Sequence, residues 1–465
     1  MYESEAIALA SELVKELDDR KPRLQKLWRY YTGDHDLPRG PKKMQEKYRE
    51  LLQKSRGNLM GLLANAVAER LEVRGIRLSN GSDADAQFAW KIWQRNHLDS
   101  LQNPFHVAAI VLGEASQIAW PDGKGSARIT CESPMQVLTR FRDGDLWDRE
   151  ASVKAWTRSD ERRNVTLYTP EAVWRWTTRD KAIDIGDVSK LNLEPRVDPL
   201  TGSHVIEHDL GVDPVVPFRP RLRLVDGCSP GEFEEFIDDQ DRINETIFSR
   251  LLAAWFASYR QKWATGLDVP EDPETGQAVE PFDAAVDRLL WSSDENTKFG
   301  DFGVTDLDNY IKSEKQDIEK YIAGPSQTPS YYLLGDLVNI PADALKLADS
   351  GLVSKTNNRQ TMLDESHEEV ASIALRAAGR PDLADDVGKE MIWKSTEFRT
   401  DGQLVDALTK MATLGVPPEA LWEKWGASPQ EIDRWKQMRA QEQDRMLFGA
   451  APPSPTGAPQ SPAAA

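Results

Sequence analysis

The 465 residues carry 58 basic and 76 acidic side chains, a formal net charge of −18, with 40% hydrophobic and 29% charged residues. That balance excludes an intrinsically disordered chain and fits about three domains with ample core. No run approaches the ~18 apolar residues of a membrane span, the acidic start Met1-Tyr2-Glu3-Ser4-Glu5 lacks a secretion-signal layout, and two cysteines, Cys131 and Cys228, argue against a disulfide framework and for a reducing cytoplasm.

The N-terminal region predicts helices, one carrying Ile7, Val14 and Leu17 and the next Leu24, Leu27, Trp28 and Tyr31, with a break at Pro22. The second closes in Tyr30-Tyr31-Thr32-Gly33-Asp34-His35. Beyond a loop from Pro38 to Pro41, helices are expected at positions 58–71, 83–96 and 104–112. From Ala115 the period changes to two. Strands are expected at 117–120 and 127–131, a hairpin at 137–141 and 146–156 around Asp143-Gly144, and further strands at 165–168, 173–177 and 204–208. Positions 115–220 therefore read as a mainly antiparallel β block, closed by a loop from Asp213 to Pro220.

Ser229-Pro230-Gly231-Glu232 matches a capping box with Pro at the first helical position. The helix it predicts runs for roughly 30 residues, or about 45 Å. Its apolar row is Phe236, Ile243, Ile247, Leu251, Trp255 and Tyr259, joined by Phe248, Leu252 and Phe256. A loop-rich excursion follows from Gly266 to Thr305, with a strand-like Arg288-Leu289-Leu290-Trp291. A second helix over 306–322 carries Leu307, Tyr310, Ile311, Ile318 and Tyr321. Two such helices cannot bury two apolar rows between themselves, and identical neighbours in a ring are the economical way to cover them. Next come Thr328 to Gly335, a loop from Leu333 to Pro341, and a long helix over 342–378 with a kink expected at Gly351. Helices at 402–414, 418–425 and 428–446 follow, the last opened by a second capping box, Ser428-Pro429-Gln430-Glu431. Positions 449–465, almost all Pro, Ala, Ser and Gly, predict a disordered tail.

Few motifs carry chemistry. Gly123-Lys124-Gly125-Ser126 lacks the upstream glycine of a phosphate cradle and reads as a hairpin loop. His204 and His208 share a strand face but lie about 13 Å apart along it, too far for one metal. His35 between Asp34 and Asp36 suits a metal cluster or a base–carboxylate pair, although its place after a helix end favours a turn. The acidic runs Asp238-Asp239-Gln240-Asp241 and 382–386 read as solvated faces or helix starts. So acidic a chain is also a poor gripper of nucleic-acid phosphate, which is held by Lys and Arg. The segment that survives is 333–341, where Leu337, Val338 and Ile340 lie between Gly335 and Pro341. No metal and no cofactor is expected. The rival to a non-enzymatic protein is a metal-assisted hydrolase or nuclease using Asp34, His35 and Asp36, with His204 and His208.

The order of these elements resembles the portal proteins of tailed double-stranded-DNA bacteriophages. The resemblance rests on Tyr30-Tyr31-x-Gly33-Asp34-His35, Glu132-Ser133-Pro134 in the β block, the long helix with Asn244, the segment Thr328 to Gly335, and the helix beginning at Ala342. It implies an α+β, mainly helical subunit of a ring, typically of twelve copies, at one capsid vertex. Residues 1–228 would form the wing, 229–262 the first stem helix, 263–305 the clip and 306–323 the second stem helix. Residues 324–394 would hold the tunnel loop (about 333–341) and a long wing helix, and 395–448 a helical crown. The tunnel loop would present Leu334, Gly335, Asp336, Leu337, Val338, Asn339 and Ile340 to double-stranded DNA. Lys312, Lys315 and Lys320 are candidate channel-lining cations, unless they pair within their helix with Glu314, Asp317 and Glu319. Ile247, Leu251, Trp255, Phe256 and Tyr259 would pack between subunits. Asp268, Pro270, Glu271 and Trp291 would belong to the clip surface that docks the terminase large subunit and then the head-completion adaptor. Major capsid and scaffolding proteins are the further partners implied, in a virion protein assembled in the host bacterial cytoplasm.

Overall fold

The structure is a computed structural model that describes residues 1–38, 46, 48–79, 81–181, 191–199, 202–258, 262–265, 298–301, 306–335, 341–397, 401–427 and 429–448. It is mainly helical with several antiparallel sheets, an α+β architecture. Helices α1 (Glu3–Tyr31), α2 (Arg49–Lys54) and α3 (Leu59–Ala68) precede strand β1 (Val73–Arg77), then α4 (Asp83–Arg95) and α5 (Leu98–Leu112). Strands follow as β2 (Ala115–Pro121), β3 (Ala127–Glu132), β4 (Val137–Phe141), β5 (Arg149–Thr157) and β6 (Arg162–Tyr168). The block ends with β7 (Ala172–Lys181), β8 (Leu193–Pro195), β9 (Val205–Glu207) and β10 (Val215–Phe218). Helix α6 (Ile237–Ser258) leads to β11 (Lys262–Thr265) and β12 (Lys298–Asp301), then α7 (Asp308–Asp317), which runs on as a π-helical turn over Ile318–Ala323. Short α8 (Ser330–Leu334) and long α9 (Ala342–Ala377) precede α10 (Pro381–Ala384) and β13 (Glu390–Trp393). Helices α11 (Asp401–Thr413), α12 (Pro418–Trp425) and α13 (Pro429–Phe448) complete the series.

Two cores organise these elements. Strands β4-β5-β6-β7-β8 form one antiparallel sheet, with β9 also on β7. Its inner face (Val153, Ala155, Val165, Leu167, Trp176) packs on Ala6, Ala10, Leu13, Val14 and Leu17 of α1. The larger core gathers Leu24, Leu27 and Tyr30 from the far end of α1 with residues of α3, α5, α9 and the β10-β2-β3 sheet. Helix α1 thus belongs to both cores, which explains the first departure from expectation. Pro22 lies inside one continuous helix. A proline costs an interior helix ~3 kcal/mol or more, but burial on both flanks holds the axis. Asp18, one turn earlier, is gripped by both Nη atoms of Arg163 at 2.6 and 2.8 Å. Pro104 likewise sits inside α5, which starts at Leu98 rather than at position 104.

The loop expected at Asp213 to Pro220 contains a strand instead. β10 pairs with β2 alone at a sheet edge, so the missing N–H of Pro217 breaks no ladder. Its carbonyl accepts from Ser366 Oγ on α9. The β1–β13 pair joins Val73 to Trp393 across more than 300 residues and was not foreseen.

The supposed capping box at Ser229 to Glu232 caps nothing. Residues 229–231 are irregular, a 3₁₀ turn covers Glu234–Phe236, and α6 begins only at Ile237. The backbone of this segment is committed to the end of α5, where Glu232 N–H donates to Ile110 C=O. Gly113, at φ +83°, lets the chain approach so closely that a Cβ there would lie 2.1 Å from the Ser229 carbonyl oxygen. Helix α9 also differs from expectation. It passes Gly351 without interruption, and a Cβ there would meet Gln327 at no less than 3.4 Å. The strand-like segment 288–291, Ser428 of the second capping box and the expected tail at 449–465 lie outside the described residues.

Candidate functional site

Helices α6 and α7 pack on each other through ion pairs as well as apolar contacts. Arg242 reaches Asp317 at 3.8 Å and lies 4.1 Å over the Tyr321 ring, while Arg250 pairs with Glu314 at 3.3 Å. The pairs descend along α7 as they ascend along α6, so the two helices run antiparallel. Glu314 and Asp317 thus each have an arginine partner on α6. Lys312, Lys315 and Lys320 are exposed, and among the described residues Lys312 and Lys320 form no ion pair.

The apolar rows divide along their length. Phe236, Ile237, Ile243 and Phe248 are buried against the body of the same chain, and Ile247 and Leu251 are half-buried. Further on, Trp255 and Phe256 of α6 and Ile311 of α7 each keep nearly half their surface exposed, as does Tyr321 in the π-helical turn beside Arg242. Tyr48 touches Phe256 only edge-on, at 6.3 Å. Tyr259 lies outside the described residues. At the far end β11 and β12 pair antiparallel, from Lys262↔Asp301 to Thr265↔Lys298. The clip candidates Asp268, Pro270, Glu271 and Trp291 fall outside the described residues.

The buried half of α6 is held by a polar joint built from the motif at the end of α1. His35 stacks on Tyr30 at 4.8 Å, and both of its ring nitrogens are engaged. Nε2 lies 3.0 Å from the Tyr30 carbonyl, which can only accept, so Nε2 carries the proton. Nδ1 is then the acceptor for Asn244 Nδ2 at 3.1 Å. Asn244 Oδ1 accepts from Gly57 N–H and from Gln240 Nε2, and Gln240 Oε1 accepts from Leu59 N–H at the start of α3. Burial lowers the His35 pKa, so the ring is neutral at pH 7. Tyr30 OH donates to Asp241, whose carboxyl is pushed up by burial.

A second anchorage is ionic. Glu232 is buried between Lys355 Nζ and Arg359 Nε, each 3.1 Å away on α9. Burial pushes its carboxyl up, but the charges of Lys355, Arg359 and Arg221 outweigh that and hold it below the ordinary range. Lys355 also donates to the Ser326 carbonyl at 2.7 Å, tying α9 to the turn after α7. From there α8 ends at half-buried Leu334, closed by Gly335 at φ +71°, and α9 starts after Pro341. Asp336, Leu337, Val338, Asn339 and Ile340 between them lie outside the described residues.

The residues of the rival metal site are engaged elsewhere. Asp34 pairs with Arg29 and Arg56, and Asp36 with Arg29. His204 bonds Glu3, and His208 Nε2 donates to the Thr169 carbonyl, on either side of β9. Among the described residues no three His, Cys, Asp or Glu side chains are placed to hold a metal ion, and no helix is long and apolar enough to cross a membrane. Sequence reasoning singled out His35 and Asn244 separately but missed their contact, as well as the roles of Gln240, Glu232 and Lys355. Three adjacent polar types on an otherwise apolar helix stripe (Gln240, Asp241, Asn244) were the available signal.

The chain belongs to the family described as phage portal protein, SPP1 Gp6-like, whose sequence model matches residues 11–445. The portal protein of Mycobacterium phage D29 is 26% identical over 400 residues, covering 82% of this chain and 78% of that one. The portal protein of Mycobacterium phage L5 is 27% identical over 401 residues, with the same coverage. The family is structural rather than enzymatic, and its members are virion components at the capsid.

Proposed function

We propose that the chain forms a portal-vertex ring, through which double-stranded DNA enters the capsid during packaging and leaves on ejection. The observation that carries this reading is the exposed apolar end of the stem. Among the described residues Trp255, Phe256 and Ile311, which the antiparallel pairing brings to the same end of the two helices, each keep nearly half their surface exposed, and a cluster of exposed apolar side chains marks an interaction site. Sister copies around a pore would cover it, with Ile247, Leu251 and Tyr259 extending the contact.

In this arrangement residues 1–228 are wing, 229–262 and 306–323 stem, 263–305 clip, 324–394 tunnel loop and wing helix, and 395–448 crown. Lys312, Lys315 and Lys320 would then supply local positive rings in a strongly acidic assembly, damping its repulsion of DNA. Leu334 to Ile340 would narrow the passage. The clip, with Asp268, Pro270, Glu271 and Trp291, would dock terminase and then head-completion and tail proteins. Assembly in the host cytoplasm with capsid and scaffolding proteins completes the reading, for a homo-oligomer of about twelve.

Negative-stain electron microscopy of the purified protein, alone and with its scaffolding protein, tests it. Rings with a central hole are expected, and Trp255→Glu with Phe256→Glu should abolish them without unfolding the protomer. A wild-type protein that stays monomeric at high concentration in every salt, with or without scaffold, would overturn it.

A further inference from the structure

The six-stranded sheet has a second face, turned away from α1. Alternation places Lys154 and Trp156 of β5, Asn164 and Thr166 of β6, and Arg175, Thr177 and Arg179 of β7 on it, with Arg158 just past the end of β5. Arg196 follows directly after β8 and adds its guanidinium. In a chain with an 18-charge acid excess this is a basic, aromatic patch. Lys154 Nζ and the Arg196 guanidinium each lie 5.3 Å from the centre of the Trp156 indole.

Most of these cations are spoken for. Lys154 pairs with Glu132 at 2.5 Å, Arg158 with Asp160 at 3.5 Å, Arg175 with Asp198 at 2.5 Å and Arg179 with Glu194 at 2.7 Å. Arg196 is the exception. Its Nη2 donates to Thr166 Oγ1 at 3.0 Å, its Nε is buried with no acceptor, and among the described residues it forms no ion pair. Burial and the like charge of Arg175 disfavour its cation, and nothing nearby compensates fully. Asn164, the direct cross-strand neighbour of Trp156, has a buried Oδ1 that meets no donor. Leaving such groups unpaired costs more than a made hydrogen bond returns.

We propose that the sheet face around Trp156 and Arg196 is a docking site for an acidic segment of a partner protein, one carboxylate pairing with Arg196 while the flanking chain lies on the indole. The charge count selects this class of ligand. Among the described residues, one excess cation amid Glu132, Asp160, Asp198 and Glu194 accommodates a single carboxylate, whereas a polyanion such as nucleic acid meets four negative neighbours.

Fluorescence anisotropy of the full-length protein with a labelled, capped Gly-Ser-Glu-Leu-Glu-Ser-Gly peptide tests this. Arg196→Gln is expected to weaken binding at least about 10-fold, the loss typical of one charge-assisted hydrogen bond. The same loss is expected when the two Glu residues of the peptide are replaced by Gln, and Trp156→Leu should also weaken binding. Arg179→Gln, on the same face but paired and exposed, should stay within about 2-fold. No saturable binding to the wild type, equal losses for Arg196→Gln and Arg179→Gln, or tighter binding of a seven-nucleotide oligothymidylate would each overturn the proposal. Binding to unassembled but not to assembled protein would assign the face to a neighbouring copy and overturn a separate partner.

Discussion

Replacing Asn244 by Ala tests the polar joint that seats α6 in the body of the protein. The change removes the acceptor of Gly57 N–H and of Gln240 Nε2, and the donor to His35 Nδ1, at a site where Asn244, Gln240 and His35 are all fully buried. Each orphaned buried group costs about 1–3 kcal/mol, and with partial relaxation the sum comes to about 3 kcal/mol. Melting is an insensitive assay here. Unfolding all 465 residues carries roughly 1 kcal/mol per degree of entropy, so Tm would move by only about 3 °C. Amide exchange is sharper. The Leu59 amide keeps its own acceptor in the variant, so faster exchange there reports loosening of the whole joint, expected at about 100-fold for 3 kcal/mol.

Asn244→Asp adds a control of sign. The new oxygen faces the His35 Nδ1 lone pair and favours the protonated ring. In the wild type the lowered His35 pKa means that stability is complete above about pH 6.5 and is lost as pH falls below it. In Asn244→Asp the folded pKa rises, so its added stability is present below about pH 6.5 and lost as pH climbs through the raised value. The two stability profiles should therefore converge toward acid. Less than about 3-fold acceleration at Leu59, or parallel profiles, would refute the reasoning.

Three further outcomes follow from other contacts. His106 and His367 meet at 3.0 Å in the main core, and burial lowers the pKa of His106 to about 4 and that of His367 well below normal. His106 alone should then withdraw about 3 kcal/mol as pH falls from about 6.5 to 4. Asp213, raised to about 6 by burial, acts with the opposite sign. Urea midpoints at pH 7 and 4.5, compared with a His106→Gln/His367→Leu variant, isolate the histidine contribution. Lys355→Met leaves Glu232 buried with a partner removed and should cost about 3 kcal/mol or more in denaturant unfolding. Gly113→Ala, forced against the Ser229 carbonyl at positive φ, should cost above ~2 kcal/mol, whereas Gly123→Ala, also at positive φ but with open space around it, should cost about 1 kcal/mol.

Periodicity located most helices and the antiparallel block because those patterns are local. It failed where distant contacts decide. Pro22 carries a stop signal that two cores override, and Ser229-Pro230-Gly231-Glu232 carries a start signal that the end of α5 and the cations of α9 claim instead. Pro217 argued for a loop because edge position is invisible in sequence. The apolar rows of α6 were legible as rows, but only the packed chain tells that the Phe236 half is buried and that Trp255 and Phe256 keep nearly half their surface exposed. The joint was half legible. Its histidine and asparagine stood out as unusual residues, 209 positions apart, and nothing local announces such a contact.

The shared ownership of α1 has a mechanical consequence. One helix about 43 Å long is embedded at one end in the β-sheet lobe and at the other in the body that seats α6. The lobe cannot swivel without prying a buried row off its bed. A displacement of the lobe is therefore carried along α1 into the body that seats α6, as a lever carries it past its bearing.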